Sequence, residues 1–214
     1  METLRSILTS SLRAERWERI QSVLDRRLGA VRVVVENLHH PHNMSALLRT
    51  CEAFGVQYVH AVEAVEDFTV SRRITLGAHK WLTLTRHRSF AECAGALRSQ
   101  GFRLYAATLD PAAVPLEELP VDEPIALVFG NEKRGVSPAT RALCDGAYTI
   151  RMEGFVQSLN ISVAAAISIH SLTERVRRLR ADGGLLGEEE KEKLLENWLP
   201  KSLRCGPRVA KAAR

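Results

Sequence analysis

Short β-branched, apolar runs alternate along this chain with segments whose apolar residues recur every three or four positions, and this alternation restricts the possible folds more than any other feature. Val31 to Glu36 is one such run. Asn43 then opens a helical segment in which Leu47, Leu48, Cys51 and Phe54 share one face and Gly55 ends the pattern. The spacing predicts further strands over 57–62, 81–85, 102–108, 125–129 and 147–152, with helices over 90–98, 138–143 and 160–180. Strands separated by helices form a parallel sheet with helices on both faces, so the fold class is α/β. Leu4, Ile7, Leu8, Leu12, Trp17, Ile20, Val23 and Leu24 keep helical spacing ahead of the first strand and predict a helical arm. Asp182-Gly183-Gly184 breaks the long helix, and a charged segment with Leu194, Leu195 and Trp198 on one side predicts a last helix ending at Pro200. The expected organisation is an arm over 1–29, an α/β domain over 30–175 and a basic extension over 176–214.

Charge follows the same division. The 214 residues carry 30 Lys+Arg against 25 Asp+Glu, for a net +5. Residues 1–30 hold six arginines against four acids, and residues 171–214 hold eleven basic groups against seven acids, which leaves the middle near neutral. Basic arms on a neutral body suggest a polyanion partner such as nucleic acid, although solubilising surfaces give the same count. Arg13, Arg16, Arg19, Arg26 and Arg27 in the arm, with Arg175, Arg177, Arg178 and Arg180 on the long helix, are the candidate phosphate contacts. The apolar stretches are far shorter than the roughly 18–20 residues that cross a bilayer, and charged residues interrupt the N-terminus, so a cytoplasmic protein with no membrane contact is expected. Cys51, Cys93, Cys144 and Cys205 are widely spaced, with no CxxC pair and no Cys/His grouping at zinc spacing. Neither disulfides nor a metal site is expected. The histidines His39, His40 and His42 lack supporting carboxylates or cysteines.

Common catalytic signatures are missing: there is no GxGxxG after the first strand, no GxxxxGK[ST], no GxSxG and no HExxH. Three polar segments remain, each at the end of a predicted strand, where an open α/β sheet places its ligands. The first runs from Asn37 to Thr50 and contains Asn43 and Arg49; a plain helix cap accounts for Asn43, but a surface arginine accounts less well for Arg49 in a helix that otherwise faces a core. The second is Phe129-Gly130-Asn131-Glu132 with Gly135, where glycines permit close backbone approach, or where a polar turn suffices. The third is Ser158-Leu159-Asn160-Ile161-Ser162, leading into Ala164-Ala165-Ala166, whose small side chains imply close packing.

In this order and at these strand ends, the three segments resemble motifs one, two and three of the SpoU/TrmH branch of the SPOUT-class RNA 2′-O-ribose methyltransferases. The resemblance covers about residues 30–175. It implies a deep trefoil knot in the C-terminal part of the sheet, a homodimer with its active site beside the interface, and S-adenosylmethionine as cofactor. By the same resemblance, Arg49, Asn43, Glu132, Ser158 and Asn160 form the catalytic and substrate-positioning group. Thr108, Leu109, Phe129, Gly130, Asn131, Ile150, Met152, Ser158 and Leu159 border the cofactor, and Gly130 and Gly154 give its backbone contacts room. Arginine holds its proton throughout the physiological range, so Arg49 is read as gripping an RNA phosphate, with Glu132 holding Arg49 or a neighbour in place. The helical arm and the Trp198 segment are similar to the tRNA members that methylate a D-loop guanosine, position eighteen. Other RNA targets within the same chemistry, ribosomal RNA or another tRNA position, and a knotted RNA-binding protein without catalysis are the alternative readings.

Overall fold

A computed structural model describes residues 12–38, 40–62 and 77–202. Leu4, Ile7, Leu8, His39 and Cys205, together with the basic tail beyond 202, lie outside the described residues. Two compact units are present, one formed by 12–27 with 185–202, the other by 28–184.

In the larger unit the strands are β1 (Leu28–Glu36), β2 (Val56–Val62), β3 (Thr83–His87), β4 (Arg103–Ala107), β5 (Val114–Pro115), β6 (Ile125–Phe129) and β7 (Gly146–Thr149). They form one sheet in the order β3-β2-β1-β6-β4-β7-β5, and every described pairing is parallel. The central strands β1 and β6 are almost wholly buried, as expected for a sheet covered on both sides. Their alternation sorts side chains between two cores. Val31, Val33 and Val35 with Ile125, Leu127 and Phe129 face one core, while Val34 with Ala126 and Val128 face the other. The first core is closed by α2 (Pro41–Ala53) through Met44, Leu47, Leu48 and Cys51, and by α5 (Ile161–Leu179) through Ala165, Ile169, Leu172 and Val176. The second is closed by α3 (Phe90–Arg98) through Phe90, Cys93, Ala94 and Leu97. A short α4 (Pro138–Ala142) separates β6 from β7.

Several expected boundaries move. Helix α2 begins at Pro41 with His40 at its cap position, so Asn43 lies within the first turn instead of capping it. The fixed φ of proline favours the first helical position, which starts the helix earlier than the apolar spacing does. The third strand starts at Thr83 because residues Ala78–Trp81 form a 3-10 turn, and β7 stops at Thr149. The short β5 carries no apolar alternation and is not legible from the spacing.

The sequence has no Cys/His grouping at zinc spacing, yet the fold brings three such residues together. Among the described residues, one ligating atom each from His60 on β2, His87 on β3 and Cys93 on α3 lie within 4.8 Å of one another. Sequence spacing misses it because three separate elements contribute. His60 Nδ1 and His87 Nε2 stand 3.0 Å apart in a hydrogen bond. Burial first, then the neighbouring His87 and Arg32, hold His60 far below the usual imidazole range, at about 4. Burial pushes the Cys93 thiol up to about 12. The guanidinium of Arg32, stacked 3.9 Å from the Tyr58 ring centroid, adds to the forces that disfavour a charge on His60.

The smaller unit contains α1 (Ala14–Leu24) and α6 (Glu188–Ser202). Ile20 and Leu24 on α1, and Leu194, Leu195, Trp198 and Leu199 on α6, are buried. Pro200 lies inside α6, which runs two residues past the expected end. Arg27 is only 1% exposed, and its guanidinium lies 5.3 Å from the Trp198 ring centroid. It is a core cation–π partner and cannot reach a phosphate, contrary to the expectation from its charge.

Candidate active site

Four segments meet at the carboxyl ends of β4, β6 and β7, where an open parallel sheet presents its ligand crevice. They enclose a cavity of about 420 Å³, within the range of small-molecule sites. All nine residues expected to border a cofactor line it: Thr108 and Leu109 after β4, Phe129, Gly130 and Asn131 after β6, Ile150 and Met152 after β7, and Ser158 and Leu159 before α5. Gly130 is buried, and a Cβ there would sit 2.0 Å from the carbonyl carbon and oxygen of Gly135. Only glycine lets the loop close so tightly. Gly135 adopts a φ of +66°, and its backbone pairs reciprocally with Asn131 at 2.8 and 2.9 Å. Gly154 differs: a Cβ there meets nothing within 4 Å and its φ is ordinary, so no constraint requires glycine at that position.

Three of the expected catalytic residues come together at this loop. Asn43 Nδ2 donates to Glu132 Oε1 at 3.0 Å, and the His40 backbone N–H donates to the same oxygen at 3.2 Å. Asn160 Nδ2 donates to Asn43 Oδ1 at 3.3 Å. Asn160 also caps α5, its Oδ1 accepting from the Ser162 N–H at 2.8 Å and the Ser162 hydroxyl at 2.6 Å. Motifs one, two and three are thereby joined in a single line, Asn160 to Asn43 to Glu132. Burial raises the Glu132 carboxyl, but hydrogen bonds from Asn43, its own backbone and His40 outweigh it and hold the group below the ordinary carboxylate range. Glu132 is therefore an acceptor at neutral pH.

Arg49 is not part of this line. It is exposed on α2, six residues beyond Asn43. Six residues turn a helix through about 600°, so the two side chains leave different faces about 9 Å apart along the axis. Of the partners expected for Glu132, Arg49 or a neighbour, it engages the neighbours Asn43 and His40. Ser158 lines the cavity and is exposed. Of the candidate phosphate contacts, Arg13, Arg16, Arg19, Arg26 and Arg178 are exposed. Arg175 donates to the carbonyls of Leu116 at 3.0 Å and of Leu119, Arg177 donates to Phe54 O at 3.2 Å, and Arg180 pairs with Asp182 at 3.0 Å. These three brace the fold: the first two bind carbonyls at the ends of helical segments, and the third holds Asp182.

Some contributing residues escape sequence reasoning. Asp110 holds Arg141 at 2.9 Å on the cavity rim. Glu36 closes β1 with its carboxyl buried against α4. An acid directly after the apolar run Val33-Val34-Val35 is the signal that could have singled out Glu36.

Residues 30–170 match the SpoU rRNA Methylase family. The chain belongs to this family. Among SpoU methylases and their relatives, it is 41% identical over 187 residues to the tRNA (guanosine(18)-2′-O)-methyltransferase of Thermus thermophilus, covering 87% of this chain and 96% of that one. The protein of the same name from Escherichia coli K12 is 34% identical, with 84% and 80% covered. The crystal structure of the Aquifex aeolicus TrmH/SpoU tRNA modifying enzyme superposes with a TM-score of 0.80 at 32% identity, covering 92% of this chain and 98% of that one. The family match takes in all three motif segments and the residues that line the cavity.

Proposed function

We propose that this SpoU methylase transfers a methyl group from S-adenosylmethionine to the ribose 2′-hydroxyl of guanosine 18 in tRNA. The observation that carries this reading is the hydrogen-bonded line from Asn160 through Asn43 to Glu132, set beside a cavity that the second and third motif segments border. The names of the Thermus thermophilus and Escherichia coli relatives supply the nucleotide.

The cavity suits the cofactor. Leu109, Phe129, Ile150, Met152 and Leu159 give apolar walls for a purine, and bare backbone at Gly130 offers polar contacts without a side chain in the way. S-adenosylmethionine supplies an electrophilic sulfonium methyl. The chain's residues do the rest. Asn43 and Asn160, fixed through Glu132 and the α5 cap, orient the ribose; Arg49 grips a neighbouring phosphate; and that phosphate or a water takes the hydroxyl proton. Alignment of this kind lowers a bimolecular barrier substantially.

The exposed arginines Arg13, Arg16, Arg19, Arg26 and Arg178 are assigned to the tRNA backbone. The trefoil knot and the homodimer belong to the same reading. The interleaved strand order β6-β4-β7-β5 supports the first, and the exposed apolar side chains Phe155, Val156, Val163 and Ile167 beside motif three support a second copy packing there. A tRNA substrate supports a cytoplasmic reading; no described helix is long and apolar enough to cross a membrane.

The test is incubation with unmodified tRNA transcript and methyl-labelled S-adenosylmethionine, then digestion and mapping, with Arg49→Ala alongside. Label in 2′-O-methylguanosine from the D-loop, lost in the variant, is the expected result. Label elsewhere in tRNA, or only in ribosomal RNA, moves the substrate, and no label on either leaves a non-catalytic RNA binder.

A further inference from the structure

A buried carboxyl group beside the cavity has no part in the chemistry above. Glu36, the last residue of β1, is 7% exposed. Three donors converge on its carboxylate: the Ser137 N–H on Oε2 at 2.9 Å, the Ser137 hydroxyl on Oε1 at 2.7 Å, and the Thr140 hydroxyl on Oε1. Burying a charge is costly unless such donors replace its water. An amide at this position has a single accepting oxygen, so one of the three donors would face an NH₂ group instead.

These bonds fall where the cavity loop leaves β6 and enters α4. Ser137 is the α4 cap, its hydroxyl also accepting from the Thr140 N–H. At the other end of the loop, Asn131 Nδ2 donates to the carbonyl of Asn37, the residue after Glu36, at 3.0 Å. Asn37 holds a φ of 49°, outside the usual range for a side-chain-bearing residue. Two successive residues at the end of one central strand thus grip both ends of the segment that carries Gly130 and Glu132.

We infer that Glu36 is a positioning residue for methyl transfer: with Asn37 it clamps the 130–137 loop in the form that borders the cofactor and presents Glu132 to Asn43. It touches neither substrate nor cofactor and acts through the loop backbone. This inference rests on the reading of the cavity as the S-adenosylmethionine site.

Calorimetric titration with S-adenosylmethionine, and steady-state kinetics, on the full-length chain and on Glu36→Gln, Ser137→Ala, the double variant and Cys93→Ala test it. Glu36→Gln weakens S-adenosylmethionine binding about tenfold, in line with loss of a hydrogen bond to a charged group. It raises the KM for the cofactor and leaves the KM for tRNA unchanged. Ser137→Ala weakens binding about threefold, and the double variant binds no more weakly than Glu36→Gln alone, since both act on one clamp. Cys93→Ala, in the second core, lowers the melting temperature without moving the affinity. Should Glu36→Gln fail to fold, unchanged binding in Ser137→Ala overturns the clamp. Wild-type binding together with an unaffected Glu36→Gln overturns the clamp alone, as does an affinity loss in Glu36→Gln matched by Cys93→Ala. Absence of wild-type binding removes the cofactor reading and the clamp together.

Discussion

At Gly130 a hydrogen atom is the only side chain that fits, since a methyl group would overlap the Gly135 carbonyl at 2.0 Å and the Val136 nitrogen at 2.1 Å. Gly130→Ala is expected to lower stability by about 1–3 kcal/mol, the usual cost of overpacking, and to abolish S-adenosylmethionine binding, as read by urea unfolding and calorimetry. Gly154→Ala should do neither. The motif string makes both glycines look alike; what separates them is backbone proximity, which depends on residues far along the chain. Asn43 makes a different prediction. It touches Glu132 and Asn160 and does not line the cavity. Asn43→Ala should therefore lower kcat by about a hundredfold, the scale of a small misplacement, with cofactor affinity unchanged. Arg49→Lys tests the phosphate grip. Turnover near the wild-type rate would count against a bidentate contact, because lysine lacks the planar fork.

Elements explain where sequence reasoning held and where it slipped. Helix α3 and strand β6 coincide with their expected limits, 90–98 and 125–129, because each is bounded by strong local signals: Ser89 caps the first and accepts from Glu92, and an unbroken apolar run defines the second. Charge told less about α5. Arg175, Arg177 and Arg178 have the same composition, yet only packing decides that two brace loop carbonyls and one is exposed. Arg175→Ala should cost about 1–3 kcal/mol by leaving the Leu116 and Leu119 carbonyls without that donor, without changing the salt dependence of tRNA binding. The His60–His87 contact between β2 and β3 gives a pH effect. His60 falls from an ordinary 6.5 to about 4 in the folded chain, so protonation favours the unfolded state. The stability it supports is fully present above pH 6.5 and is lost as pH falls toward 4, by on the order of 3 kcal/mol. Melting temperatures across that window should drop less steeply in His60→Gln than in wild type.

For the whole molecule, the fold class and the site's location at the strand ends were legible because alternation and polarity are local properties. The strand order, the Asn160–Asn43–Glu132 line and the Glu36 clamp were not, because they join residues as far as 117 positions apart. Assigning the exposed arginines to tRNA predicts an affinity that falls steeply with salt, with a log–log slope proportional to the number of phosphates engaged. Filter binding across a salt series checks this, and a flat response removes these arginines from the interface. The same long reach has a consequence during synthesis. Strand β1 emerges early, yet its partner β6 and the asparagine that steadies Asn43 come off the ribosome only after most of the chain has been made. Until then one edge of β1 is an unpaired apolar ribbon. Newly made chains should depend on chaperones, and a chain truncated before residue 160 should carry the first two motifs and no activity.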